Sequence, residues 1–132
     1  MDASGNKEMV RKMFAELAKG DAQGFMAAMA DDVRFTLIGS TKYSGVFRGK
    51  QELAEKLLGP LSAELKEGLI ITPENLIADG DFVAMQARGR SLAKNGKRYD
   101  NTYCQIFKIS DGKIREVTEY LDTELVTSVF GK

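Results

Sequence analysis

The chain contains no histidine and one cysteine, Cys104, so any proton chemistry must come from Asp, Glu, Lys or Tyr. The same shortage excludes a zinc site of the usual Cys/His type. Among the acids, Glu119 stands out through its neighbours. Side chains alternate along a strand, which puts Arg115, Val117, Glu119 and Leu121 on one face and Ile114, Glu116, Thr118 and Tyr120 on the other. A carboxylate between Val117 and Leu121 is costly unless it is paired, hydrogen-bonded or protonated, which makes it a candidate acid/base. A solvated or salt-bridged strand acid is the competing interpretation.

On the preceding segment Tyr99, Asn101, Tyr103, Gln105 and Phe107 share a face, and one strand earlier so do Phe82, Gln86, Arg88 and Arg90. If both sets face Glu119, Arg88 is its ion-pair partner, and Tyr103, Asn101 and Gln86 surround it with hydrogen-bonding groups. Cross-strand pairing of exposed polar residues would produce the same pattern. Cys104 falls on the opposite face from Tyr103 and, with no histidine to activate it, reads as a packing residue. Asp31-Asp32 reads as a cap and turn rather than a cation site. The Gly45–Gly49 region lacks the phosphate-loop pattern.

These side chains need a scaffold, and its parts are visible. Met9, Val10, Met13, Phe14, Leu17 and Ala18 recur at helical spacing, predicting a helix over 6–19. Gly20 suits its end, and Asp21 an N-cap for a short second helix. Val33, Phe35 and Leu37 alternate with polar residues as a strand. A loop or small hairpin over 39–49 and a helix carrying Leu53, Ala54, Leu57 and Leu58 follow, with Gly59-Pro60 interrupting that helix. Four apolar stretches, 69–78, 82–93, 97–109 and 113–121, are separated by Asp79-Gly80, Asn95-Gly96 and Asp111-Gly112. Three such dipeptides in series specify a four-stranded antiparallel meander. Helices first and a meander afterwards make an α+β domain, one unit over 1–132.

Composition narrows the function classes. With 43% hydrophobic residues, the chain has enough apolar material for a core and a cavity. Lys+Arg and Asp+Glu balance at 19 each, without the basic excess that phosphate binding demands, so no nucleic-acid partner is expected. No apolar run approaches a membrane span, and the polar N-terminus lacks a signal-peptide core. A lone cysteine fits a reducing compartment, so the expected location is cytoplasmic, with no membrane partner and no metal.

The element order, the segment Phe47-Arg48-Gly49-Lys50, and the closing run resemble the SnoaL-like branch of the NTF2-like superfamily, in particular ketosteroid isomerase-related proteins. In that closing run the matching parts are Asn101-x-Tyr103-x-x-x-Phe107, Asp111-Gly112-Lys113-Ile114 and Glu119-Tyr120-Leu121-Asp122. The resemblance implies an NTF2-like (cystatin-like) cone, a strongly curved antiparallel sheet wrapped around N-terminal helices and enclosing a pocket. It implies a homodimer packed through the sheet, no cofactor, and a small apolar or partly polar organic ligand. Glu119 falls where related epoxide hydrolases place a catalytic Asp, but their Asp-Arg-Asp arrangement is absent, with Gln86 and Arg88 at the earlier positions. Ketosteroid isomerases carry their proton-shuttling Asp where this chain has Thr36-Leu37-Ile38. The expected catalytic set is therefore Glu119, Arg88 and Tyr103. Phe14, Leu37, Gln86, Arg90, Asn101, Gln105 and Val117 are the expected ligand contacts. The function implied is isomerase- or cyclase-type proton transfer, with a non-catalytic binding or dimerisation module as the alternative.

Overall fold

The amphipathic opening segment forms helix α1 (Ala3–Ala18) in the computed structural model, which describes residues 2–132. Asp2 caps it by accepting from the Gly5 N–H at 2.8 Å, and Val10, Met13 and Phe14 form its buried side. Asp21 caps α2 (Ala22–Ala27) in the same way, through the Gly24 N–H at 2.8 Å. Strand β1 (Met29–Leu37) begins four residues before the alternating stretch, and β2 (Gly45–Arg48) pairs antiparallel with it.

The helix after Gly49 is longer than expected. An α-turn, α3 (Lys50–Leu53), a π-helical segment (Ala54–Leu58) and α4 (Gly59–Ala63) follow one another without a gap. Gly59-Pro60 does not interrupt the run. The Gly59 N–H reaches back five residues to the Ala54 carbonyl, and Pro60, with no N–H to satisfy, opens α4.

The meander follows as β3 (Leu65–Asp79), β4 (Phe82–Ala93), β5 (Thr102–Ser110) and β6 (Lys113–Leu121). Asp111 and Gly112 link β5 to β6 with φ of 52° and 71°, the double positive φ that an Asp-Gly hairpin turn supplies. The sheet has six strands in the order β2-β1-β6-β5-β4-β3. Every pairing is antiparallel except β1 with β6, which is parallel. Register shifts in β3, β6 and β1 add residues on one side of the ladder, and such bulges bend a sheet. The product is an α+β fold in which a curved sheet wraps the helices. A last helix, α5 (Thr123–Phe130), was not expected; Asp122 caps it by accepting from the Leu125 N–H at 3.1 Å.

One bulge alters the faces of β6. Lys108 pairs with Glu116 but Ile109 pairs with Ile114, leaving Arg115 as the extra residue. Alternation breaks there, so Ile114 is buried along with Val117 and Glu119, while Arg115 turns back to donate to the Ser110 carbonyl at 3.2 Å.

Candidate functional site

Between the helices and the inner sheet face lies a cavity of about 270 Å³. Its walls are apolar: Phe14 and Leu17 from α1, Phe25 and Met26 from α2, Leu53, Leu57, Leu58 and Leu61 from the helical run, Phe35 and Leu37 from β1. Ala22 and Ser62 line it and are also exposed, so the cavity reaches solvent between α2 and α4. Its polar groups gather mainly on the sheet side: Tyr103, Gln105 and Glu119 from β5 and β6, Tyr99 from the link before β5, and Tyr43 from the β1–β2 loop, with Ser62 on the helical wall. Among the described residues, Glu119 is the single acid in the lining, and no Lys or Arg joins it.

Glu119 is placed by register. It pairs with Leu37 on one side and Gln105 on the other, and Gln105 pairs in turn with Met85. The Gln105 amide donates to Oε1 at 2.5 Å, and the residue is 7% exposed. Burial dominates its acidity, raising the carboxyl from 4.5 to about 7 even though the Gln105 hydrogen bond pulls the other way. At neutral pH the group therefore occupies both protonation states. Burial also pushes the Tyr99 and Tyr103 phenols up, and the nearby Glu119 adds to the effect, so both remain neutral donors.

Tyr103 owes its position to a missing side chain. Gly89 faces inward on β4, and a Cβ there would stand 2.6 Å from the Tyr103 ring. Tyr99 is held by ring contact with Phe130 of α5 at 4.8 Å, and Phe130 meets Tyr43 at 5.6 Å. The Tyr43 hydroxyl donates to the Glu64 carboxylate, and Lys42 pairs with that same carboxylate at 3.3 Å.

Of the expected site residues, Glu119, Tyr103, Gln105, Phe14 and Leu37 meet at this cavity. Five do not. Arg88, Gln86 and Arg90 lie on the outer face, because β4 turns Val83, Met85, Ala87, Gly89 and Ser91 inward. Gln86 pairs with Cys104, which pairs with Tyr120; that row is the opposite side of the sheet from Glu119. The Arg88 side chain is 70% exposed and bridges Glu74 at 3.2 Å. Asn101 points inward, but its amide is spent on structure. It donates to the Tyr99 hydroxyl and the Asp122 carbonyl, and accepts from the Thr102 and Asp122 N–H groups. Val117 is buried in the core opposite Phe107, outside the cavity lining. The small and apolar parity of Val83, Met85 and Ala87 was the available signal for β4. Tyr43 and the α5 side chain Val126 were missed as lining residues, and Asp122 followed by Leu125, Val126 and Val129 was the signal for α5.

No helix among the described residues is long and apolar enough to cross a membrane. Those residues also hold no group of three or more His, Cys, Asp or Glu side chains suited to a metal ion.

Comparison with known proteins agrees with this architecture. Residues 10–117 match the SnoaL-like domain family. An uncharacterized protein of Mycobacterium tuberculosis is 24% identical over 130 residues, covering 98% of each chain. An NTF2-like protein from Burkholderia pseudomallei superposes with a TM-score of 0.85 at 19% identity, over 96% of this chain and 98% of that one. TerC, crystallised with polyporic acid, superposes with a TM-score of 0.81 at 20% identity, over 95% and 97% of the two chains.

Proposed function

Because the chain belongs to the SnoaL-like domain family, we propose that it is a small-molecule enzyme of isomerase or cyclase type that moves a proton on an apolar, carbonyl-bearing cyclic compound. The observation that carries this reading is the isolation of Glu119: a lone acid in an apolar cavity, with an acidity near 7 and neutral phenols beside it. A general base is most effective when its pKa lies near the working pH. Glu119 as carboxylate takes a proton from the carbon next to the carbonyl, and the C–H electron pair moves into the enolate. The enolate oxygen is met by donation from Tyr103, with Tyr99 beside it. Protonated Glu119 then returns the proton to carbon. TerC, crystallised with polyporic acid, shares this fold and so supports a small organic occupant.

The test is deuterium exchange at the α-carbons of 2-tetralone in deuterated water, followed by proton NMR against the buffer rate. The wild-type protein should accelerate exchange, and Glu119→Gln should return it to background with its circular dichroism spectrum intact. Equal acceleration by both proteins would remove Glu119 from the mechanism. Binding of the ketone without acceleration would make the domain a non-catalytic binding module.

Assembly as a homodimer is part of the same proposal. Ile77, Ala84, Ile106, Thr118, Thr36 and Val46 pair in succession and form one largely apolar row across all six strands of the outer face. Ile77 is 59% exposed and Val46 46% exposed. A second copy packed on that row would shield it, and sedimentation of wild type against Ile106→Glu tests the arrangement.

A further inference from the structure

The cavity has a charge preference that its shape alone does not impose. Among the described residues lining it, Glu119 is the single group able to carry a full charge at neutral pH, and that charge is negative. No cation answers it from any wall. The titratable groups that face it are the Tyr99 and Tyr103 phenols; Tyr43 comes from the β1–β2 loop, with its hydroxyl on Glu64 and Lys42 beyond. From β1 the opposing residue is Leu37, and α1, α2 and the helical run add only apolar side chains and Ser62. α5 contributes Val126, and Asp122 at its N-cap is a second acid acting on Tyr99. Gln105 hydrogen-bonds only one oxygen of Glu119, and the other, Oε2, is left with accessible surface rather than buried without a partner.

The walls suit a cation as well. Phe14, Phe25, Phe35, Tyr43, Tyr99 and Tyr103 surround the space with aromatic rings, whose faces attract positive charge. From this arrangement we infer that the cavity binds a lipophilic monocation, a protonated cyclic or aryl amine, with its ammonium group against the free oxygen of Glu119 and its ring among these aromatic side chains. A ligand carboxylate or phosphate would face the ionised Glu119 with no compensating base and is repelled above pH 7. This inference rests on the cavity being the ligand site and Glu119 being its ionising group, and it names a ligand class that occupies the base and so competes with the carbonyl substrate.

The experiment compares three ligands built on one ring system: 2-aminotetralin, 2-tetralone and tetralin-2-carboxylate. Binding to the wild-type protein is followed through the methyl resonances of Leu37, Leu57 and Val126. At pH 8 the amine should bind about tenfold tighter than the ketone, and the carboxylate should not bind measurably. Because the ion pair needs the carboxylate form, amine affinity should fall about tenfold, to the level of the ketone, between pH 8 and pH 5, with ketone affinity nearly level. In Glu119→Gln the amine should drop to the level of the ketone. A ketone that matches the amine at pH 8, or a carboxylate that binds as well as either, overturns the charge preference and leaves the ligand site standing. Amine-induced shifts confined to residues outside the cavity overturn it too. If none of the three moves the cavity methyls, the ligand site itself is wrong and the inference falls with it.

Discussion

Replacing Glu119 by Gln should make the protein more stable at alkaline pH, although it removes the proposed catalytic group. The folded carboxyl ionises at about 7, against 4.5 as its ordinary value. Between those values the folded state keeps a proton that the unfolded state has released, so stability falls as pH rises through that window. Above about 7 the whole cost is present, and the interval corresponds to roughly 3 kcal/mol. Gln has nearly the same shape, carries no charge and offers an amide to Gln105. The remaining carboxylates, including Glu52, Asp100 and Glu116, which are held below their ordinary range by hydrogen bonds from Arg48, Arg98 and Arg34 respectively, titrate equally in both proteins. They cancel in the difference. Urea unfolding followed by circular dichroism at pH 5, 6, 7, 8 and 9 measures that difference directly. The gap should shift toward the variant by about 3 kcal/mol between the acid and alkaline ends. A gap constant across the series within about 0.5 kcal/mol would refute the reasoning, since Glu119 would then ionise alike in both states.

Three further substitutions probe the surroundings. Gly89→Ala drives a Cβ into the Tyr103 ring at 2.6 Å and the Leu69 side chain at 3.2 Å. It should cost about 1–3 kcal/mol in a thermal melt and slow ketone exchange about tenfold or more by displacing the phenol. Arg88→Ala should leave exchange unchanged and stability within about 0.5 kcal/mol, because its exposed partner is Glu74. A large loss of exchange in that variant would return Arg88 to the site. Asn101→Ala strips the Asp122 backbone and the Tyr99 hydroxyl of partners and should destabilise by about 1–3 kcal/mol, read by urea unfolding; a neutral result would make those hydrogen bonds incidental.

Much of the frame could be read before any coordinates, because local chemistry encodes it. Asp79-Gly80, Asn95-Gly96 and Asp111-Gly112 place the turns of the meander, and alternation along β5 puts Tyr103, Gln105 and Phe107 on the inner face, where they lie. The failures are matters of register. Nothing within β4 states which parity meets Glu119, and the choice of Gln86, Arg88 and Arg90 favoured charge complementarity over the burial of Val83, Met85 and Ala87. The strand pairings reverse it through one chain of neighbours, Glu119 to Gln105 to Met85. The bulge at Arg115 defeats simple alternation in the same way, bringing Ile114 inward. α5 escaped notice because Asp122 reads equally well as the end of a strand motif and as a helix cap; its tertiary ties, including Asn95 donating to the Val129 carbonyl at 2.8 Å, are long-range.

Strand order also governs how this site comes into being. β6 emerges last of the strands during synthesis, yet it takes a central place between β1 and β5. Without residues 113–121 the sheet divides into the β1–β2 hairpin and the β3–β5 meander, which share no strand pairing of their own. Joining those two parts makes contacts distant in sequence, the slow class of folding event. β6, which joins them, carries Glu119. The strand that completes the sheet therefore also carries the single acid that the described residues place in the cavity lining.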